Sequence, residues 1–273
     1  MVTIHNVLEA KIDNVKNISL VLKAINFKSS GVCFASDCGL KVVVEDSKCV
    51  QANAFIGNDI FTEYVLTDDD DNAMFRIDLN TLVDCLTIFD SCTTTPGAAT
   101  ALKLSYKGYG HPLKIILEEE GIITDCSLKT MSDCEILDFE MLDSDVVCKI
   151  ILRAQDFREV LSDLDNSSDF VEFFLSSNSP YFRITTEGIA GTFQIDIPKN
   201  SNIIETFDCS TSINAKYRYS QIKPCLKSLL IASKVSIRTN EEGLICLQFM
   251  IQTESKQFCY VEYYCTPSVE GEM

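Results

Sequence analysis

The stretch KVSIRTNEEGLICLQFMIQTESKQFCYVEYYCTP, from Lys234 to Pro267, reads as three strands joined by two tight turns. Leu244, Cys246, Gln248 and Met250 alternate against Ile245, Leu247, Phe249 and Ile251, the period of two that a pleated strand imposes. Asn240-Glu241-Glu242-Gly243 predicts a hairpin, because glycine takes the positive φ that closes such a loop. Thr253 to Lys256 is a polar break ahead of Phe258, Tyr260, Val261, Tyr263 and Tyr264. Together these segments predict an antiparallel meander. Its middle strand is apolar on both faces, so each face needs cover, from this chain or from a neighbouring subunit.

Upstream, helices and strands alternate. Val2–Ile12 reads as a strand, and Asn14 caps a helix whose Val15, Ile18, Leu22 and Ile25 keep helical spacing. Strands are expected at Val32–Ala35, Leu40–Val44, Cys49–Phe55 and Phe61–Leu66, then a helix from Leu79 to Phe89. Ala101–Tyr106, Leu113–Leu117 and Ile122–Leu128 are strands again. After the polar stretch Lys129–Asp145 the order recurs: strand Val146–Leu152, helix Phe157–Leu164, strands Phe170–Leu175, Tyr181–Thr185, Thr192–Ile197, Ile203–Cys209 and Ala215–Tyr219. A fourth helix is expected near Ile222, with Pro224 in its first turn.

The predicted helix onsets carry a repeat. Val15 to Leu79 is 64 residues and Phe157 to Ile222 is 65; Val15 to Phe157 is 142 and Leu79 to Ile222 is 143. Such spacing implies a duplicated architecture. The expected fold class is α+β, two similar domains each with two short helices on one face of antiparallel sheets. The domains are placed at 1–128 and 146–273, with a connecting linker at 129–145.

Asp and Glu outnumber Lys and Arg by 40 to 23 in a chain of 273 residues, a formal charge of −17. That argues against a simple nucleic-acid binder, although net charge does not locate the cations. The exposed helix faces hold several: Lys16 and Lys23 on the first, Arg158 on the third, Lys223 and Lys227 one turn apart on the fourth. The second helix carries Asp84 and no cation. The bland alternative is an ordinary solvated helix surface.

Thirteen cysteines include no C-x-x-C pair, and only His5 and His111 could join them, which argues against a zinc site. Residues such as Cys33, Cys85, Cys148, Cys246 and Cys259 sit in apolar segments and read as reduced thiols packed as small apolar side chains. A reducing compartment follows from that reading. MVTIHNVLEA lacks the pattern of a secretory signal, and no apolar run has the length of a membrane span, so no membrane role is expected. No cofactor or metal is expected either.

Asp68–Asp71 could be read as the carboxylates of a two-metal nuclease. Between two predicted strands, the run reads instead as a solvated turn. Gly108-Tyr109-Gly110 lacks the helix and lysine of a phosphate loop and reads as a turn. No catalytic residues are assigned.

Tyr263-Tyr264-Cys265-Thr266-Pro267, followed by acidic residues, resembles the ending of eukaryotic sliding clamps such as proliferating cell nuclear antigen. SKCVQANAFI (Ser47–Ile56), YKGYGHP (Tyr106–Pro112), KVSIRTN (Lys234–Asn240) and FCYVEYYC (Phe258–Cys265) are similar to the Rad-one subunit family of the heterotrimeric DNA-damage checkpoint clamp. The resemblance runs essentially the whole length. It implies the DNA-clamp fold and a nuclear, non-catalytic subunit of a ring made with Rad-nine and Hus-one type chains. Such a ring is placed on double-stranded DNA without sequence preference by a checkpoint clamp loader and recruits kinase activators and repair enzymes. It implies that Lys16, Lys23, Arg158, Lys223 and Lys227 face the DNA. It further implies ring joints at Ile122, Ile123, Cys126 and Leu128 on one edge strand and at Thr192, Phe193, Ile195 and Ile197 on another. A pocket for a partner's apolar motif is expected from Val44, Ile136, Leu137, Tyr264 and Pro267. Two other readings stand beside it: a 3'-5' exonuclease acting on DNA, and a scaffold that does not encircle DNA.

Overall fold

The computed structural model describes residues 5–67, 73–90, 99–132, 135–137, 139–189 and 191–268. The chain falls into two units: Met1–Glu45, Asn53–Ile136 and Gln252–Cys259 form one, and Asp46–Ala52, Leu137–Ile251 and Tyr260–Met273 the other.

The first half runs β1 (Leu8–Ile12), α1 (Lys16–Ile25), β2 (Ser30–Ser36), β3 (Gly39–Asp46), β4 (Val50–Gly57), β5 (Glu63–Leu66), β6 (Met74–Asp78), α2 (Leu79–Leu86), β7 (Ala101–Tyr106), β8 (Leu113–Glu119) and β9 (Ile122–Leu128). The second runs β10 (Cys148–Arg153), α3 (Ala154–Ser162), β11 (Phe170–Leu175), β12 (Phe182–Gly188), β13 (Gly191–Ile197), β14 (Ile204–Cys209) and β15 (Ile213–Arg218). It continues through α4 (Tyr219–Ile222) and α5 (Leu226–Ile231) to β16 (Lys234–Thr239), β17 (Ile245–Gln252) and β18 (Phe258–Cys265).

The duplication is visible in the hydrogen-bonded strand orders. In the first half they are β5-β1-β7-β8-β9 and β4-β3-β2-β6; in the second, β14-β10-β16-β17-β18 and β13-β12-β11-β15. Each order maps onto its counterpart strand for strand. The two orders place β9 at one end of its sheet in the first half and β13 at the end of its sheet in the second.

Local chemistry sets the helices. The Lys16 amide donates to Asn14 Oδ1 at 3.0 Å, and Ile18, Val21, Leu22 and Ile25 form the buried face of α1. Asp78 caps α2, its Oδ1 accepting from the amide and the hydroxyl of Thr81 at 2.7 Å each. These donors hold the Asp78 carboxyl below the usual carboxylate range. α2 stops at Leu86, short of the predicted Phe89, because Thr87 Oγ1 donates to the Val83 carbonyl at 2.9 Å where a further turn would have bonded.

The third helix begins at Ala154, three residues before Phe157. The fourth was expected near Ile222 and begins at Tyr219. Pro224 then lies past the first turn, where its missing N–H breaks the α ladder. Lys223–Cys225 is a 3-10 turn that divides α4 from α5.

In the first unit the helices pack onto both sheets. Ile18, Leu22, Leu82 and Leu86 meet Leu8, Leu104 and Leu113 from one sheet and Val42, Ile56 and Phe75 from the other, around a residual cavity of about 30 Å³. The second unit buries an aromatic chain. Phe173 lies 6.0 Å from Phe182 and 5.7 Å from Tyr217 between ring centroids, both edge-on, and Phe157 of α3 lies 6.3 Å from Phe182. Edge-on pairs of this kind each contribute roughly 0.5–1.5 kcal/mol beyond the area they bury.

The meander forms as its alternation requires, and its Gly243 has φ 81°. The Gly243 amide donates to the Asn240 carbonyl at 3.1 Å, and Asn240 Oδ1 accepts from the Leu244 amide at 2.8 Å. Ile245, Leu247, Phe249 and Ile251 face the core. On the other face Cys246 is closed over by Met141 and Tyr264, with Phe139, Val146 and Leu244 packed against them. This chain therefore supplies the cover there.

Burial pushes the Cys246 and Cys265 thiols up to about 12 and Cys85 to about 11, so they stay protonated and packed at neutral pH. Cys148 departs from the expectation of a free thiol. It stands directly opposite Cys209 in the β10–β14 register, with Cα atoms 4.1 Å apart, and the two sulfurs are bonded.

Candidate nucleic-acid interface and assembly edges

A helix that buries one stripe leaves the opposite stripe to water. On α1 the outward residues are Lys16, Leu20 and, half-buried, Lys23. Lys23 Nζ pairs with Asp90 Oδ2 at 3.0 Å, so its charge is already engaged. α2 turns Asn80, Thr81 and Asp84 outward and offers no cation. Arg158 is half-buried on α3, whose outer side also holds Glu159, bonded by Gln155 Nε2 at 3.3 Å. Lys223 and Lys227 are exposed, Lys223 donating to Asn166 Oδ1 at 2.9 Å. α1 lies against α2, and α3 against α5.

β9 and β13, each at one end of its sheet, differ in chemistry. On β9, Ile122 and Ile123 are 62% and 66% exposed, while Cys126 and Leu128 are half-buried. On β13, Thr192 is exposed, Phe193 is 45% exposed and Ile195 half-buried. Ile197 is buried, so its side chain belongs to the interior of its own unit and only its backbone lies on the edge. Next to it Asp196 accepts from Arg183 at 2.6 and 2.9 Å, which holds its carboxyl below the usual range.

The five residues expected to form a partner pocket fall in different settings. In the first unit Val44 is fully buried and Ile136 half-buried. In the second, Leu137 is exposed, Pro267 is half-buried and Tyr264 is buried under Phe139 and Met141. The Tyr264 hydroxyl donates to Glu262 Oε2 at 3.0 Å.

Glu262 belongs to a network absent from the sequence reading. Its Oε1 accepts from Arg238 Nη2 at 3.3 Å and from Gln248 Nε2 at 3.0 Å, and the Arg238 side chain is only 11% exposed. Arg238 also reaches Asp143 at 3.5 Å, tying the polar stretch before β10 to this sheet. Period-two alternation places Arg238, Gln248 and Glu262 on three adjacent strands. Their meeting depends on register, which the sequence does not print.

Asp68–Asp71 lie outside the described residues. Gly108 and Gly110 have φ 98° and 77° and close the β7–β8 turn, with the His111 amide donating to the Gly108 carbonyl at 3.1 Å. No helix is long and apolar enough to cross a membrane among the described residues.

Residues 7–251 match the family described as "Repair protein Rad1/Rec1/Rad17". The chain belongs to this Rad1 family. It is 47% identical over 263 residues to the mouse protein named "Cell cycle checkpoint protein RAD1", covering 96% of this chain and 93% of that one. The human protein of the same name is 45% identical, with 96% and 92% covered. The fruit-fly "DNA repair protein Rad1" is 31% identical, with 94% and 93% covered. A more distant relative, from Mycosarcoma maydis, is 22% identical over 184 residues and is named "DNA repair exonuclease REC1". The Rad1-family fold is the α+β DNA-clamp fold, and the duplicated strand orders are its expression in this chain. A role in the DNA-damage checkpoint follows from the family.

Proposed function

We propose that this Rad1-family chain is a non-catalytic subunit of a nuclear, ring-shaped checkpoint clamp built with two different clamp-type chains, of the Rad-nine and Hus-one types. Residues 1–128 and 146–273 serve as its two clamp domains and 129–145 as the linker. The observation that carries the reading is that β9 and β13, each at one end of its sheet, expose the large apolar side chains Ile122, Ile123 and Phe193. An unpaired edge bearing large apolar side chains is an aggregation hazard unless another strand covers it. Two dissimilar edges suit two dissimilar neighbours.

Inside such a ring, Lys16, Arg158, Lys223 and Lys227 contact phosphates without reading bases, and Lys23 contributes less because of Asp90. The acidic remainder of a chain at −17 repels the duplex elsewhere. A specialised loader places the ring, and kinase activators and repair enzymes dock on it. Leu137 and Pro267 are the accessible members of the set assigned to such docking.

The test is the native mass of the complex recovered with a tagged copy of this chain from its own cells. A one-to-one-to-one assembly with two other clamp-type chains is expected. The lone chain, or three copies of it, would overturn the heterotrimer. The same preparation, incubated with end-labelled duplex DNA and magnesium, should release no nucleotides; release that survives purification would favour the exonuclease activity named in the Mycosarcoma maydis relative.

A further inference from the structure

β14 stands at one end of its sheet, hydrogen-bonded to β10 within the second unit. No residue of Ile204–Cys209 is buried, so little apolar packing holds this strand in place. Its register with β10 slips at Ile151 and Leu152, which interrupts the ladder. Lys234 Nζ pairs with Glu205 Oε2 at 2.6 Å, but both side chains are exposed and water screens the pair. Phe207 meets Tyr181 edge-on, with ring centroids 6.0 Å apart. The remaining tie is covalent. Cys209, the last residue of β14, is bonded to Cys148, the first residue of β10, and the two are 61 residues apart in the chain.

The surroundings of the two sulfurs provide for both redox forms. Cys148 is 1% exposed and Cys209 is half-buried, so one sulfur is reachable from solvent and the other lies behind it. The Thr211 carbonyl oxygen is 3.1 Å from Cys148 Sγ and 3.3 Å from Cys209 Sγ. With the bond open, each thiol has that oxygen, with its two lone pairs, as an acceptor in reach, so neither becomes an orphaned donor. A reducing compartment, as expected for this chain, keeps thiols open until oxidant rises. We propose that Cys148 and Cys209 are a reversible dithiol–disulfide couple, oxidised by a small disulfide such as oxidised glutathione, and that its closure staples β14 to β10. The Cys209 thiolate attacks one sulfur of the small disulfide, breaking its S–S bond and releasing one thiolate. The Cys148 thiolate then attacks Cys209 Sγ of the mixed disulfide and expels the second. Two protein thiols are oxidised, and one small disulfide is reduced to two thiols, which take up the two protons lost by Cys148 and Cys209. Opening the bond leaves β14 on its backbone ladder and surface contacts, so the strand frays and uncovers the edge of β10.

The experiment equilibrates the full chain, in the assembly with which it purifies, in buffers running from reduced to oxidised glutathione. Acid quenching, alkylation of free thiols and peptide mass spectrometry read the 148–209 bond, and hydrogen exchange of the β14 amides is measured on the same samples. The bonded fraction is expected to rise with the share of oxidised glutathione and to fall again on return to the reduced form. The β14 amides should exchange at least about tenfold more slowly in the bonded state, with the amides of β11 and β12 unchanged. Cys209→Ser, whose hydroxyl keeps a donor for Thr211, should exchange like the reduced wild type in every buffer. Thiols that stay free in oxidised glutathione, or a bond that survives in reduced glutathione alone, would overturn the reversible couple. Equal β14 exchange in the bonded and open states would overturn the staple. A redox response of β14 that persists in Cys209→Ser would belong to other cysteines and overturn the assignment to this pair.

Discussion

The two halves of this chain share one strand order and differ in what their helices show to solvent. In the first, α1 offers Lys16 and an already paired Lys23, and α2 offers Asn80, Thr81 and Asp84. In the second, Arg158, Lys223 and Lys227 stand on the helices and Arg218 ends β15 just before α4. Core positions repeat because burial constrains both halves equally. Surface charge is free to diverge, and here it has. Of the five helix cations singled out, three therefore lie in the second half of a duplicated frame and two in the first.

The largest effects should be the ones the halves share. Phe173→Ala removes two edge-on ring contacts from a fully buried site and should cost about 3–5 kcal/mol. Leu22→Ala in the first half should cost about 2–5 kcal/mol. Urea unfolding checks both; a loss under about 1 kcal/mol at either site would break the claim that the cores are equivalent.

Next comes a feature of the second half, the Arg238–Glu262 network. Arg238→Ala leaves Glu262 beneath the sheet surface without its cation and should cost about 3 kcal/mol. Replacing both with methionine should cost less than the single change, because no uncompensated charge remains. Equal losses would mean that packing, not charge pairing, explains the site.

The charge difference itself is tested on DNA. Lys223→Glu with Lys227→Glu should lower duplex binding about tenfold at 0.1 M salt, and Lys23→Glu by less than about threefold. The reverse ranking would place the main contact surface in the first half.

The smallest expected effect separates the helix starts. Asp78→Ala should cost about 1 kcal/mol, as loss of an N-cap does. Asp78 is held below its ordinary value of 3.8 in the folded chain, so its contribution is full above that value and is lost as pH falls through the depressed one. Asn14, which serves α1, has no such titration. Stability curves of the wild type and Asp78→Ala should therefore converge in acid. Curves that stay parallel would show that the cap acts through its shape alone.

Much of this was legible beforehand. Alternation in Leu244–Ile251 and the turn at Asn240–Gly243 predicted the meander, since both are local properties of backbone and side chain. The repeat spacing predicted two similar halves, and the helix starts lie at Lys16, Leu79, Ala154 and Tyr219. The misses have physical causes. Thr87 ended α2 through a side-chain bond to the backbone, and Pro224 split a helix that its neighbours' periodicity ran straight through. Arg218 ends a strand, β15, so helical periodicity does not single it out. Its signal was the Lys216, Arg218 alternation on β15.

By itself the sequence determined the α+β class, the duplicated order and the positions of the charged helix residues, because each follows from local periodicity and spacing. Only tertiary structure decided which charges are spent and which remain. Asp90 reaches Lys23 across 67 residues and Glu262 reaches Arg238 across 24, whereas Lys223 is held across 57 residues by the uncharged amide of Asn166 and keeps its charge. It also decided that Met141 and Tyr264 close over Cys246, and that Cys148 meets Cys209. Those pairings depend on which strands lie side by side and in what register, a choice made by burying the whole core at once.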